Sequence, residues 1–128
     1  FARIDMQNSE IYRRGFVVPL SEEAKQALSA WDVDYDTEVD YYQIPDQEAF
    51  DELWDTGLFS TINANIDVIL DDYEEDVVEA SQVGVLKEEV ELYRGLPVIS
   101  SESSNAINEL LRLCEVALEH KKPIFFVL

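Results

Sequence analysis

The sequence predicts an α+β fold: one compact acidic domain over residues 1–128, a small mixed β-sheet packed with several α-helices. Three observations carry that expectation. The stretch "WDVDYDTEVDYYQIP" at 31–45 alternates acidic residues with apolar or aromatic ones at the period of two that belongs to a strand. The chain closes on "PIFFVL" at 123–128, an unbroken apolar run that reads as a strand covered on both faces. Elsewhere apolar residues recur at steps of three and four, the period of amphipathic helices. A chain of this length can bury a real core without staples, and six Phe, six Tyr and two Trp argue against a disordered acidic polymer.

Taken in order, "IYRRGFVVPL" (11–20) reads as a strand, with Gly15 marking a bulge and Pro19 stopping the ladder. Ser21 caps a short helix, "SEEAKQALSAW", whose Glu22 and Glu23 sit in the positive first turn. Ala24, Ala27, Leu28 and Trp31 form its apolar face. The alternating strand follows and ends at Pro45. Asp46 caps the next helix, "QEAFDELWDTG", with Phe50, Leu53 and Trp54 on one side and Gly57 at its C-terminus. Residues 58–93 read as helical, on the spacing of Leu58, Ile62, Ile66, Ile69 and Tyr73, then of Val77, Ala80, Val83, Leu86, Val90 and Tyr93. A break is expected near Asp71 and Asp72, which can cap a new helix. Ser103 or Ser104 starts a last helix that runs to about His120, with Ile107, Leu110, Leu111, Cys114 and Leu118 inward. The single cysteine excludes an internal disulfide and, set in an apolar run, reads as a buried inert thiol. That suits a reducing cytoplasm. No apolar run reaches the roughly 18–20 residues of a membrane helix, and no signal-peptide layout is visible.

The net charge of −19 is confined to one segment. Residues 1–31 and 94–128 are each neutral, whereas 32–93 holds 20 acids and one base, Lys87. Such a surface repels nucleic acid and anionic membrane, so neither is expected as a direct partner. Within 32–40, Asp32, Asp34, Asp36, Glu38 and Asp40 fall on every second residue. In a strand they would line one face about 6.6–6.8 Å apart, an arrangement whose repulsion a cationic partner would relieve. A solvated loop, or an edge strand guarded by charge against aggregation, would use the same residues. The second block, Asp67, Asp71, Asp72, Glu74, Glu75, Asp76 and Glu79, would on a helix place Asp72, Asp76 and Glu79 on one side. Helix-end electrostatics explains two or three of these acids, not seven.

Read as a calcium loop, 32–43 fails at its most demanding positions. Thr37 stands where the sharp turn needs Gly, and Gln43 where a bidentate Glu should close the site. A carboxylate di-metal centre needs Glu-x-x-His pairs on facing helices, and His120 is the only histidine. No phosphate-binding Gly loop, nucleophile elbow or Cys–His–acid set is present. The sequence implies no enzyme, no metal and no cofactor.

In size, charge and plan the chain resembles the small immunity proteins of bacterial toxin systems, of the colicin and contact-dependent growth-inhibition kinds. The stretches that carry the resemblance are "WDVDYDTEVDYY", "IDVILDDYEEDVVEA" and "KKPIFFVL". It implies a cytoplasmic inhibitor that neutralises a basic toxin, a cognate nuclease above all. The expected partner-binding residues are Asp32, Asp34, Asp36, Glu38, Asp40, Tyr42, Asp71, Asp72, Tyr73, Glu74 and Glu75. Tyr35, Tyr41, Tyr42 and Tyr73 are the candidate aromatic anchors. The alternatives are a nucleic-acid mimic of the anti-restriction type, with carboxylates in place of phosphates, and an acidic structural or regulatory interaction domain. Calorimetric titration with Ca²⁺ is expected to show at most weak binding, shared with Mg²⁺. Tight, Ca²⁺-selective binding abolished by Asp36→Asn would contradict the reading of 32–43.

Overall fold

The computed structural model describes residues 2–3, 14–30, 37–66, 75–94 and 100–128. The strands are β1 (Ala2–Arg3), β2 (Gly15–Pro19), β3 (Glu38–Gln43), β4 (Glu75–Val78) and β5 (Ile124–Val127). The helices are α1 (Glu22–Ser29), α2 (Gln47–Asp55), α3 (Leu58–Asn65), α4 (Val83–Glu91) and α5 (Ser101–His120), with a 3₁₀ turn at Ala80–Gln82 before α4. The sheet order is β1-β3-β2-β5-β4. Every pairing is antiparallel, so the α+β class holds and the sheet is antiparallel rather than mixed.

The sheet is clothed on both sides, and strand alternation decides which residue goes where. Phe16, Val18, Val78, Ile124, Phe126 and Leu128 point into the larger core with α2, α3, α4 and α5. Val17, Val39 and Phe125 point the other way, onto Ala24 and Leu28 of α1. Strand β5 lies between β2 and β4 and is buried on both faces, as its unbroken apolar run requires. Each such side chain contributes about 1.5–3 kcal/mol by leaving water. Continuing the β2–β5 register places Pro19 opposite Pro123, and neither has an N–H to extend the ladder.

The caps anticipated by the sequence are formed. Ser21 Oγ accepts from the Ala24 N–H at 3.1 Å and Asp46 Oδ1 from the Ala49 N–H at 2.8 Å. Gly57 ends the α2 turn at φ 85°, a conformation that favours glycine. Helix α5 begins earlier than expected: Ser100 caps it, its Oγ accepting from the Ser103 N–H at 3.1 Å. Its inward face also differs, since Leu113 and Ala117 are buried while Leu118 is exposed. Cys114 is fully buried, and burial pushes its thiol up to about 12. Trp31 lies outside the described residues.

Residues 58–93 are not a helix with one break. Strand β4 interrupts them, with Glu75 opposite Val127, Asp76 opposite Phe126, Val77 opposite Phe125 and Val78 opposite Ile124. The β-branched pair Val77 and Val78 fits this position because the two side chains serve opposite cores. Asp76 and Glu79 therefore do not share a helix side.

Gly15 is not a bulge. It stays in register opposite both Gln43 and Val127, and a Cβ there would stand 2.2 Å from the Tyr42 carbonyl oxygen. The requirement is close backbone approach. Gly15→Ala is expected to lower stability by about 1–3 kcal/mol, the usual range for overpacking. Urea denaturation would read this as a fall in midpoint at unchanged slope, and an unchanged midpoint would refute the tight β2–β3 approach.

Candidate functional site: the acidic surface

Of the residues singled out in the sequence, Asp32, Asp34, Asp36, Asp71, Asp72, Tyr73 and Glu74 lie outside the described residues, as does Tyr35. Glu38, Asp40 and Tyr42 are on β3, and Glu75 is the first residue of the sheet-edge strand β4. Glu38 is exposed at the start of its strand.

Asp40 and Tyr42 lie on the inward side of β3 and stay partly exposed. Opposite Val18 and Phe16, both share the sheet face covered by α5. The Arg112 guanidinium on α5 donates to Asp40 through Nη1 at 2.6 Å and Nη2 at 3.2 Å. It also donates to Glu109 through Nε at 3.1 Å and Nη2 at 3.2 Å. Two carboxylates, with Asp40 the stronger influence, hold the guanidinium charged and push its pKa up. Tyr42 packs against the core, its ring 6.1 Å from that of Phe16. Burial raises its pKa first, and Glu109 and Glu102 add to this against a lowering hydrogen bond with Asn105. Tyr41, on the opposite face, packs against the α1 core. Both tyrosines are half-buried and pack as parts of the fold. Asp40 is likewise a structural ion-pair partner.

Other described acids are also paired. Lys87 reaches Glu115 at 3.4 Å and Glu91 at 3.9 Å, and Lys122 reaches Glu22 at 2.8 Å. Lys122 accordingly lowers the Glu22 carboxyl pKa.

Helix α2 is different. Glu48, Asp51, Glu52 and Asp55 follow one another at steps of three, one and three, and among the described residues no ion pair reaches any of them. Three of them are exposed, whereas Phe50 and Leu53 of the same helix are buried. Asp51 accepts a hydrogen bond from Gln47 Nε2 at 2.9 Å. Glu52 is partly buried, with Oε2 shielded and unbonded among the described residues. It lines a cavity of about 90 Å³ with Asp46, Glu48, Ala49 and Glu102, which brings the start of α5 beside the row. The guanidinium of buried Arg14 lies 4.1 Å over the Phe50 ring on the inner side of the helix. The row was within reach of the sequence. The residues 48, 51, 52 and 55 are an i, i+3, i+4, i+7 set of acids complementary to the apolar face, overlooked beside the denser blocks at 32–40 and 67–79.

Among the described residues no group of three or more His, Cys, Asp or Glu is arranged to hold a metal ion. None of their helices is long and apolar enough to cross a membrane. A wider depression of about 420 Å³ is lined by Arg94, Asn108, Leu111, Arg112 and Glu115, where Arg112 is already engaged by its two carboxylates.

No protein-family model matches the chain, and no curated protein matches it. Among solved structures, the chain is similar to the Neisseria DNA mimic protein DMP12, with a TM-score of 0.56 and 11% sequence identity over 90% of this chain and 99% of that one. The likeness is one of fold.

The pairing pattern separates two kinds of acid. Asp40→Asn is expected to lower stability by about 1 kcal/mol or less, since Arg112 is partly screened by solvent. Asp55→Asn is expected to be neutral or stabilising, because it removes a negative charge, without an ion pair among the described residues, from the negative end of α2. Denaturation at low and at 0.5 M salt (an added-salt level of roughly one-Debye-length screening at 4–5 Å) would compare them. Equal stabilisation by both changes would show that the Asp40–Arg112 pair contributes nothing.

Proposed function

We propose that this chain is a nucleic-acid mimic, an acidic protein that occupies the nucleic-acid-binding surface of a basic protein partner. The observation that carries the proposal is the α2 row. Four carboxylates over eight helical residues amount to about one charge per 3 Å of axis. A DNA strand carries one per about 3.4 Å. These carboxylates have no cation of their own among the described residues, so a partner's Lys and Arg side chains would meet them as they meet phosphates. The fold likeness to a protein named as a DNA mimic supports this reading over that of a toxin-immunity protein. Both readings require a cationic partner and differ in what that partner does. A mimic excludes DNA from the site it occupies, whereas a toxin inhibitor can neutralise its target without touching the DNA-binding surface.

Opposite fields raise the encounter rate and disfavour wrong partners, and salt weakens this steering. The test is competition. The basic protein recovered with the chain from its source cells at low salt is loaded with a fluorescent DNA duplex, and the chain is titrated in. Wild-type chain is expected to displace the duplex, less effectively as salt rises. The combined variant Glu48→Gln, Asp51→Asn, Glu52→Gln and Asp55→Asn is expected to need about tenfold more protein, a loss of about 1.4 kcal/mol, with a shallower salt dependence. Binding of chain and duplex together, without competition, would sink the mimic reading and leave an inhibitor of another kind.

A further inference from the structure

We infer that the outward face of α4 supplies an apolar anchor for a cationic protein surface, an inference that rests on the basic-partner reading above. Val83, Leu86 and Val90 turn inward and are fully buried. Val85 and Leu92, seven residues apart and so on one side of the helix and the turn that follows it, are exposed by 39% and 70%. Their separation along the axis is about 10 Å. Glu88 is exposed between them, and Glu91 is exposed at the margin. Single exposed aliphatic residues are ordinary on protein surfaces. Two of them spaced by two turns and framed by carboxylates form a mixed surface that only some occupants can satisfy.

The charge pattern selects the occupant. A second copy of this chain would set Glu88 against Glu88 between two molecules of net charge −19. An anionic membrane surface is repelled in the same way. A protein face that offers one or two aliphatic or aromatic side chains beside Lys or Arg matches both features: its cations meet Glu88, and its apolar groups cover Val85 and Leu92. Carboxylates at the rim would govern encounter and orientation, and the covered aliphatic pair would govern residence. Glu91 also holds Lys87 at 3.9 Å, with Glu115 at 3.4 Å on the other side of the ammonium, so this lysine is turned toward α5.

Two probes of equal positive charge test the inference: a helical amphipathic Leu/Lys peptide, which carries apolar groups among its cations, and poly-L-lysine, which does not. Wild-type chain is expected to bind both at low salt and to prefer the amphipathic peptide. The double variant Val85→Ser, Leu92→Ser is expected to weaken the peptide by about tenfold while leaving poly-L-lysine within about twofold. Both side chains are exposed, and an unchanged melting curve would confirm that the variant is folded. An unchanged peptide affinity, with poly-L-lysine still bound, would overturn the assignment of α4 and leave the basic-partner reading standing. Failure of wild type to bind either probe would overturn both. A wild-type dimer lost in the double variant would assign the face to a second copy and overturn the inference.

Discussion

Strand β5 is the constraint from which the rest of the molecule follows. Phe125 belongs to one core and Phe126 to the other, so neither face of the sheet can be left in water. Helix α1 closes one side and α2 to α5 close the other. Both neighbours of β5 must bring apolar residues of matching parity, and β2 does so with Phe16, Val17 and Val18, β4 with Val77 and Val78. With both faces taken, an acidic residue can be solvated only on the outer sides of helices, at strand ends, or along the sheet edges. The charged surface is therefore set by the hydrophobic one.

That order of precedence explains which acids are spent internally. Asp40 has the strand parity of Val18 and Tyr42 and is carried to the helical side of the sheet, where a carboxylate without a partner would be costly to bury. Arg112 supplies the compensation from α5, its planar fork giving two hydrogen bonds to each of two carboxylates. Glu48, Asp51 and Asp55 of α2 incur no such demand, because Phe50 and Leu53 take the inner face and leave these three in water. Their mutual repulsion persists in the isolated protein, and a cationic surface would relieve it.

Features set by neighbours in the chain were legible in the sequence. Ser21 and Asp46 cap helices through their own side chains, Gly57 adopts positive φ in the turn, and the apolar run at the C-terminus declares a doubly covered strand. Features set across the chain were not. Val77, Ala80 and Val83 satisfy a helical period well enough to conceal β4, whose formation depends on the open edge of β5 nearly fifty residues later. Alternation along β3 correctly gathers Glu38, Asp40 and Tyr42 on one face, but nothing local reveals that a helix covers it. The Asp40–Arg112 contact joins residues 72 apart. A charge count over 32–93 could not separate paired acids from unpaired ones, and that separation is what distinguishes a structural carboxylate from one available to a partner.

Charge alone makes a poor basis for a lasting complex, because salt screens it and any polycation satisfies it. Apolar area alone makes a poor basis for selecting a partner, because it does not discriminate at a distance. The two features fall on different helices here: on α2 a carboxylate row without an ion pair among the described residues, and on α4 an aliphatic pair beside acids. A partner that resembles a nucleic-acid-binding protein only in charge would be drawn to the first and find nothing to hold it at the second. One that also carries apolar groups among its cations would be held by both, so discrimination would reside in the dissociation rate while attraction resides in the association rate. On the proposed reading, a mimic of this design would have a narrower choice of partners than DNA itself, whose backbone offers every basic protein the same phosphates.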